Sequence, residues 1–302
     1  MRVAIVGAGG IGGYSGGVLA RAGHDVRLFA RGEHLEAIRR RGLEIREPGG
    51  SFTIALAASD RPEDLGPADL AVVAVKSYSV ADVAPVVSLL AREGAVVVPL
   101  LNGVDAFESL AERGVPAQSM LGGLTAVSVA KVGPGVVERL SDFWIVVVGE
   151  HAGGLSDRAE RVAAAFREAG ADARASADIK LDLWRKFHFI APMATVCGLA
   201  RASIGPVRDA ELGRLLIDRA VREVGAVARA RGVALPADSD DAVLKRIGEL
   251  PAAMKPSFLL DLERGGPNEL DVLSGAVSRM GRASGVPTPV HDTAVAALSA
   301  KR

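Results

Sequence analysis

Residues 2–13 read RVAIVGAGGIGG, a β-branched run that stops at a glycine and leads directly into a helical stretch. Gly7, Gly9 and Gly12 fall in the pattern G-x-G-x-x-G. Between a strand and a helix each glycine has a mechanical reason: the first turns the chain, the second lets the backbone approach a pyrophosphate, and the third lets helix pack on strand. The N–H groups at the helix start have no partners within the helix and suit the phosphate charge. A glycine-rich turn without a ligand is the plainer reading of the motif alone. Its placement favours a dinucleotide site built from Gly7, Ala8, Gly9, Gly10, Ile11 and Gly12, and a Rossmann-type start to the fold.

The same grammar continues along the first half of the chain. HDVRLFA, LAVVAVK, AVVVPLLNG and FWIVVVGE are short apolar runs separated by helical patterns, as in a parallel, doubly wound sheet with helices on both faces. VGPGVVERL places a turn at Gly133-Pro134-Gly135 before paired strands, which are expected to extend an edge of that sheet. After about residue 178 strand runs give way to apolar residues at helical spacing. Leu212, Leu215, Leu216, Ala220, Val224 and Val227 trace one face of a long helix ending near Gly232, and further helices are expected from about Asp238, Ser257, Asn268 and Pro289. The chain therefore reads as an α/β domain, residues 1–178, followed by an all-α domain, residues 179–302.

In such a sheet the tip of the second strand reads the adenosine ribose, where an NAD site has an acidic side chain. Here Arg31 follows HDVRLFA, and a guanidinium suits a 2′-phosphate, so NADP is preferred over NAD. Glu33 is the counterargument, and a solvated surface charge is the plain alternative for Arg31. Lys76, closing LAVVAVK, and Asn102, after AVVVPLL, stand where strand tips could contact a nicotinamide ribose and a substrate oxygen.

Composition narrows the classes of function. Lys plus Arg and Asp plus Glu both number 36 in 302 residues, so there is no general electrostatic reason to expect nucleic acid or an anionic membrane as partner. The single cysteine, Cys197, excludes an intrachain disulfide and fits a reducing cytoplasm. The N-terminus has neither a signal-peptide layout nor an apolar run of the ~20 residues that span a bilayer. A soluble cytoplasmic protein with a small-molecule ligand is expected, and the apolar content of the helical half permits a homodimer. The five histidines show no metal-ligand spacing, and no metal is expected.

LDLWRKFHFIAPMATVCGL, residues 181–199, sets Lys186 into a largely apolar helix next to Phe187, with Leu183 and Ile190 on its side at spacings of three and four. Burial disfavours an ammonium and lowers its pKa towards neutrality, which suits a proton donor. A lysine that snorkels to water is the common alternative. His188 points off another side of the helix and reads as a packed histidine. Pro192 should kink or end the helix just beyond.

Together these features resemble the ketopantoate reductase family, the 2-dehydropantoate 2-reductases. The resemblance rests on GAGGIGG, Arg31, Val75-Lys76, Asn102-Gly103, LWRK at residues 183–186, and SFLLDLERGGPNELD at residues 257–271, in order over essentially the whole chain. It implies an NADPH-binding Rossmann domain joined to a helical domain of the 6-phosphogluconate dehydrogenase-like kind. It also implies reduction of a 2-oxo acid, 2-dehydropantoate (ketopantoate) to pantoate in pantothenate biosynthesis. Lys186 is then the general acid and Glu269 a second catalytic-site and cofactor-side residue. Ser257 and Asn102 contact substrate, and Lys76 and Asn102 contact cofactor. Glu269 is expected in the first turn of a helix opened by Pro267-Asn268, where a carboxylate favours the dipole. Asp261, Glu263 and Asp271 read as structural or solvated charges.

One departure bears on substrate. Members of the well-known type carry asparagines four and eight residues after the lysine, where this chain has Ile190 and Ala194. A less polar or bulkier 2-oxo acid is the alternative substrate. Two further readings stay open: a related β-hydroxyacid or imine-reducing dehydrogenase, and a non-catalytic NADPH-binding sensor.

Overall fold

The computed structural model describes residues 1–299. They form two compact units: residues 1–101 with 105–179, and residues 102–104 with the chain from Lys180 onward. The short segment after the fifth strand of the parallel sheet thus groups with the helical unit, which no compositional shift announces.

In the first unit the elements in chain order are β1 (Arg2–Val6), α1 (Gly10–Arg21), β2 (Asp25–Phe29), α2 (Gly32–Arg41), β3 (Leu43–Glu47), β4 (Gly50–Ile54) and β5 (Ala57–Ser59). They continue with β6 (Leu70–Val73), α3 (Val80–Arg92), β7 (Val96–Pro99), α4 (Ala106–Ala111), β8 (Gly122–Ala126), β9 (Val129–Gly133) and β10 (Val136–Arg139). β11 (Ile145–Gly149), α5 (Asp157–Glu168) and β12 (Asp172–Ser176) complete the unit. A five-stranded sheet runs β5-β2-β1-β6-β7, every pair parallel.

After the exposed Arg2, β1 is apolar, as is all of β6, because helices cover both faces. Alternate residues go to opposite sides: Val3, Ile5, Leu70 and Val72 pack with Leu19 of α1 and Phe166 of α5, whereas Ala4, Val6, Ala71 and Val73 pack with Val87 and Leu90 of α3. Each fully buried Leu, Ile or Phe here contributes about 1.5–3 kcal/mol relative to exposure. A parallel bridge from Val97 to Met120 leads from β7 towards a three-stranded sheet, β12-β11-β8.

The turn at Gly133–Gly135 does not extend the parallel sheet. β9 and β10 belong to a separate four-stranded sheet, β4-β3-β10-β9, in which β10 runs parallel to β3. The partner hairpin, LEIRE and GSFTI, buries only two apolar side chains per strand, so its period-2 signal is too short to stand out. The run FWIVVVGE, β11, also lies outside the five-stranded sheet, between parallel β12 and antiparallel β8; the α/β fold with a doubly wound parallel sheet is otherwise as the sequence predicts.

The second unit holds α6 (Ile179–Ala200), α7 (Ile204–Asp209), α8 (Glu211–Ala230), α9 (Ser239–Gly248), α10 (Ser257–Arg264), α11 (Ser274–Ser284) and α12 (Pro289–Ser299). Pro192 lies inside α6 and does not end it. On α8 the packed stripe is Ile217, Ala220, Val221, Val224, Val227 and Ala228, while Leu212 and Leu215 are 76% and 43% exposed. The first turns of α8 continue the apolar spacing after its burial has stopped.

The helix expected from Asn268 begins instead at Ser274. Asn268 Oδ1 accepts from the Leu270 N–H at 3.1 Å, so its side chain closes a turn instead of capping a helix. Glu269 therefore sits in a buried turn, without the helix dipole behind it.

Candidate active site

α6 is apolar around much of its circumference. Trp184, Phe187, Ala191 and Ala194 join the core formed with α8, α11 and α12, Trp184 and Phe187 meeting edge to face at 5.6 Å. Lys186, between those two aromatics in sequence, directs its amine to Asn102: Nζ donates to Oδ1 at 3.1 Å. The same carboxamide donates from Nδ2 to Oε2 of Glu269 at 3.2 Å. Glu269 is 3% exposed.

Gly103, at φ +98°, takes the backbone conformation that turns the chain just after Asn102. An amide between an ammonium and a carboxylate has one orientation that satisfies both, oxygen towards the cation and nitrogen towards the anion. Burial of the Lys186 amine pushes its pKa down to about 8, with Glu269 pulling partly the other way. Such an ammonium is charged at neutral pH, yet gives up its proton far more readily than a solvated lysine.

The other positions make contacts of their own. Ser257 is the exposed first residue of α10, and among the described residues it forms no hydrogen bond to Lys186, Asn102 or Glu269. Ala194 is buried in the cluster of Trp184 and Phe187, and Ile190 packs partly buried against it. Asp261, Glu263 and Asp271 pair with Arg264, Lys255 and Arg279 at 3.6, 2.7 and 2.6 Å, at least one partner of each pair being well exposed. His188 is buried, with Nε2 3.1 Å from both the Val221 carbonyl and Asp240, and burial lowers its pKa. Burial likewise raises the Cys197 thiol to about 11, which leaves no reactive thiolate at neutral pH.

In the first unit, Gly7 follows β1, Arg31 follows β2 and Lys76 follows β6. These are three adjacent parallel strands, so the residues share the carboxyl edge of one sheet. Gly7 has φ +100° and donates its N–H to Phe29 O at 3.1 Å; a methyl there would meet Val75. A methyl on Gly12 would run into the Gly7 carbonyl and lie 3.0 Å from Ile5. At Gly9 a methyl would meet nothing within 4 Å.

The loop is thus tight where helix packs on strand and open where Gly9 caps α1, an end that no side chain caps. Gly9, Gly10, Ile11 and Gly12 fit a pyrophosphate group, with the first-turn N–H groups as donors.

Arg31 precedes α2 in extended conformation, and its side chain has no ion-pair partner among the described residues. Glu33 lies in the first turn of α2, beyond the end of β2 at Phe29. β6 ends at Val73, so Lys76 lies in the following loop, at the head of the turn Ser77–Ser79, and is partly buried.

His34 is absent from the motif-based set, yet it is 7% exposed and touches the glycine loop. Its Nε2 lies 2.7 Å from Ala8 O, and its Nδ1 accepts from Gly135 N at 2.9 Å. These partners are 26 and 101 positions away in sequence, so no local spacing could reveal them. Among the described residues no cluster of His, Cys, Asp or Glu could hold a metal ion, and no helix is long and apolar enough to cross a membrane.

The family model described as ketopantoate reductase PanE/ApbA matches residues 3–153, and its C-terminal counterpart matches residues 178–302. The 2-dehydropantoate 2-reductase of Archaeoglobus fulgidus is 33% identical over 294 residues, covering 97% of this chain and 95% of its own length. The crystal structure of a PanE/ApbA family ketopantoate reductase from Ralstonia eutropha JMP134 is similar at TM-score 0.91 and 31% identity, over 100% of this chain and 98% of that one. The ternary structure of D-mandelate dehydrogenase with NADH and anilino(oxo)acetate is similar at TM-score 0.88 and 25% identity, again over 100% and 98%.

Proposed function

The chain belongs to the ketopantoate reductase family of oxidoreductases, and we propose that it reduces a 2-oxo acid to a 2-hydroxy acid with a nicotinamide dinucleotide, 2-dehydropantoate being the primary substrate and NADPH the preferred cofactor. The observation that carries the proposal is the chain of contacts from Lys186 through Asn102 to Glu269.

A reduced nicotinamide, when bound, supplies the hydride. Reduction of a ketone leaves negative charge on its oxygen, which must be stabilised and protonated as it forms. Lys186 holds the proton at Nζ, and a pKa near 8 keeps it charged yet ready to transfer at neutral pH. Asn102 fixes the direction of that ammonium through Oδ1. Glu269 orients Asn102 through Nδ2, and its charge keeps Lys186 from becoming neutral too early.

For the cofactor, Gly9 to Gly12 supply the backbone donors for the pyrophosphate. The exposed guanidinium of Arg31 at the tip of β2 supports NADPH by pairing with a 2′-phosphate. Lys76 is proposed as a further cofactor contact, and Ser257 as a hydrogen-bond donor to substrate.

A second reading concerns the substrate alone. Ile190 and Ala194 are apolar where family members of the well-known type present amides, and D-mandelate dehydrogenase, bound to an aromatic 2-oxo acid derivative, shares the fold. Both favour a less polar 2-oxo acid. Steady-state oxidation of NADPH and NADH with 2-dehydropantoate and a panel of aliphatic and aromatic 2-oxo acids, repeated with Lys186→Ala, tests the proposal. Loss of turnover with retained dinucleotide binding supports the role of Lys186. Unchanged turnover removes it, and the preferred acid decides between the two substrates.

A further inference from the structure

The carbonyl of Ala8 lies just before the cap of α1, where the helix ladder offers it no partner; the first loop bond of the ladder is Gly13 N to Gly9 O. A buried carbonyl needs a donor. His34, in the first turn of α2, approaches it with Nε2 at 2.7 Å. On the far side of the ring Nδ1 lies 2.9 Å from Gly135 N, in the turn between β9 and β10. Gly135 N–H can only donate, so Nδ1 accepts and the ring proton sits on Nε2, where it donates to Ala8 O.

One neutral imidazole thereby ties together the dinucleotide loop, the start of α2, and the β9–β10 turn. We infer that His34 is a positioning residue for the dinucleotide loop, and that protonation of Nδ1, by setting a second donor against Gly135 N–H, releases the loop from the turn and weakens cofactor binding. The inference rests on the proposed dinucleotide site.

The surroundings favour the neutral ring. Burial lowers the His34 pKa below its ordinary 6.5, the Ala8 carbonyl works partly against that, and Lys131 of β9 adds a like charge. The glycine loop contributes no titratable side chain. Arg41, from the last turn of α2, donates to the Pro134 carbonyl and holds the turn beside Gly135. The folded-state pKa is depressed, so the clip is intact at neutral pH and is lost as pH falls through the folded-state value.

The test uses the whole chain without cofactor first. Nitrogen-15 NMR of the imidazole at neutral pH should show the Nε2-protonated tautomer, and the Gly135 amide should exchange at least about tenfold faster in His34→Leu. An Nδ1-protonated ring, or unchanged Gly135 exchange, overturns the inference.

NADPH and NADH are then titrated from about pH 5 to 8 against the wild-type chain and His34→Gln, which keeps a donor and an acceptor but cannot titrate. Affinity of the wild type should fall about tenfold relative to His34→Gln on the acid side of 6.5. Parallel profiles overturn the pH-dependent release. If neither protein binds a dinucleotide while Gly135 protection still depends on His34, the cofactor assignment fails and the clip stands.

Discussion

Lys186 donates to Asn102 at 3.1 Å, and the same amide passes its own N–H to Glu269. A proton donor held this way is expected to show its pKa in the rate. For reduction of a 2-oxo acid, kcat/KM should fall as pH rises through about 8, because the competent form is the ammonium. Glu269→Gln removes the charge that raises the Lys186 pKa, so its alkaline limb should move to lower pH. A pH–rate profile that is flat across that region would exclude Lys186 as the acid.

Asn102→Ala deletes both contacts of the amide and leaves the ammonium misdirected. The expected outcome is a loss of about 10²-fold or more in kcat, with a much smaller change in the dissociation constant of NADPH. Measuring both separates orientation of the proton donor from a general loss of binding. Equal losses in the two would assign Asn102 to the cofactor instead.

The Lys186 ammonium is also held at a cost to folding. Its pKa is depressed from 10.5, so the stability linked to it is fully present above that value and is lost as pH falls through about 8. Lys186→Met should therefore be inactive yet melt higher than the wild type at pH 7, by about 2–4 °C for each kcal/mol relieved. Calorimetry at pH 7 and pH 10 checks this, since the difference should narrow at the alkaline pH.

Much of this was legible in the sequence, for reasons that can be stated residue by residue. The glycine spacing after RVAIV and the apolar runs Val3–Val6 of β1 and Leu70–Val73 of β6 follow from local rules of turn geometry and two-sided burial. What escaped depends partly on local detail and partly on partners remote in sequence. Glu269 was expected in a helix because Pro267-Asn268 resembles a helix start, but the Asn268 side chain spends its oxygen on the Leu270 N–H. The β3–β4 hairpin, which gives β10 its neighbour, alternates over only two apolar positions per strand, Leu43 and Ile45, then Phe52 and Ile54, too few to announce itself. His34 bridges positions that only the folded chain brings together. Asn102 was visible as a strand-tip amide, but its place between Lys186 and Glu269 was not.

Arg31 offers a test of cofactor preference. Its exposed side chain has no ion-pair partner among the described residues, so Arg31→Ala should cost the fold little. NADPH should bind about 10–100-fold more weakly to the variant, with NADH nearly unchanged, as expected for loss of charge-assisted bonds to one phosphate. Equal weakening of both dinucleotides would place Arg31 outside the 2′-phosphate contact.

The glycine loop allows ligand contact to be separated from packing. A methyl at Gly12 would run into the Gly7 carbonyl and press on Ile5, so Gly12→Ala should lower the melting temperature of the cofactor-free protein. A methyl at Gly9 meets nothing within 4 Å of the protein itself, so Gly9→Ala should leave that temperature almost unchanged. If the space over Gly9 is where the pyrophosphate lies against the backbone, the same variant should weaken NADPH binding by about tenfold or more. Thermal melts without cofactor, paired with dinucleotide titrations, give four values. Gly9→Ala binding NADPH as tightly as the wild type would place the phosphates elsewhere, however well the loop fits the pattern.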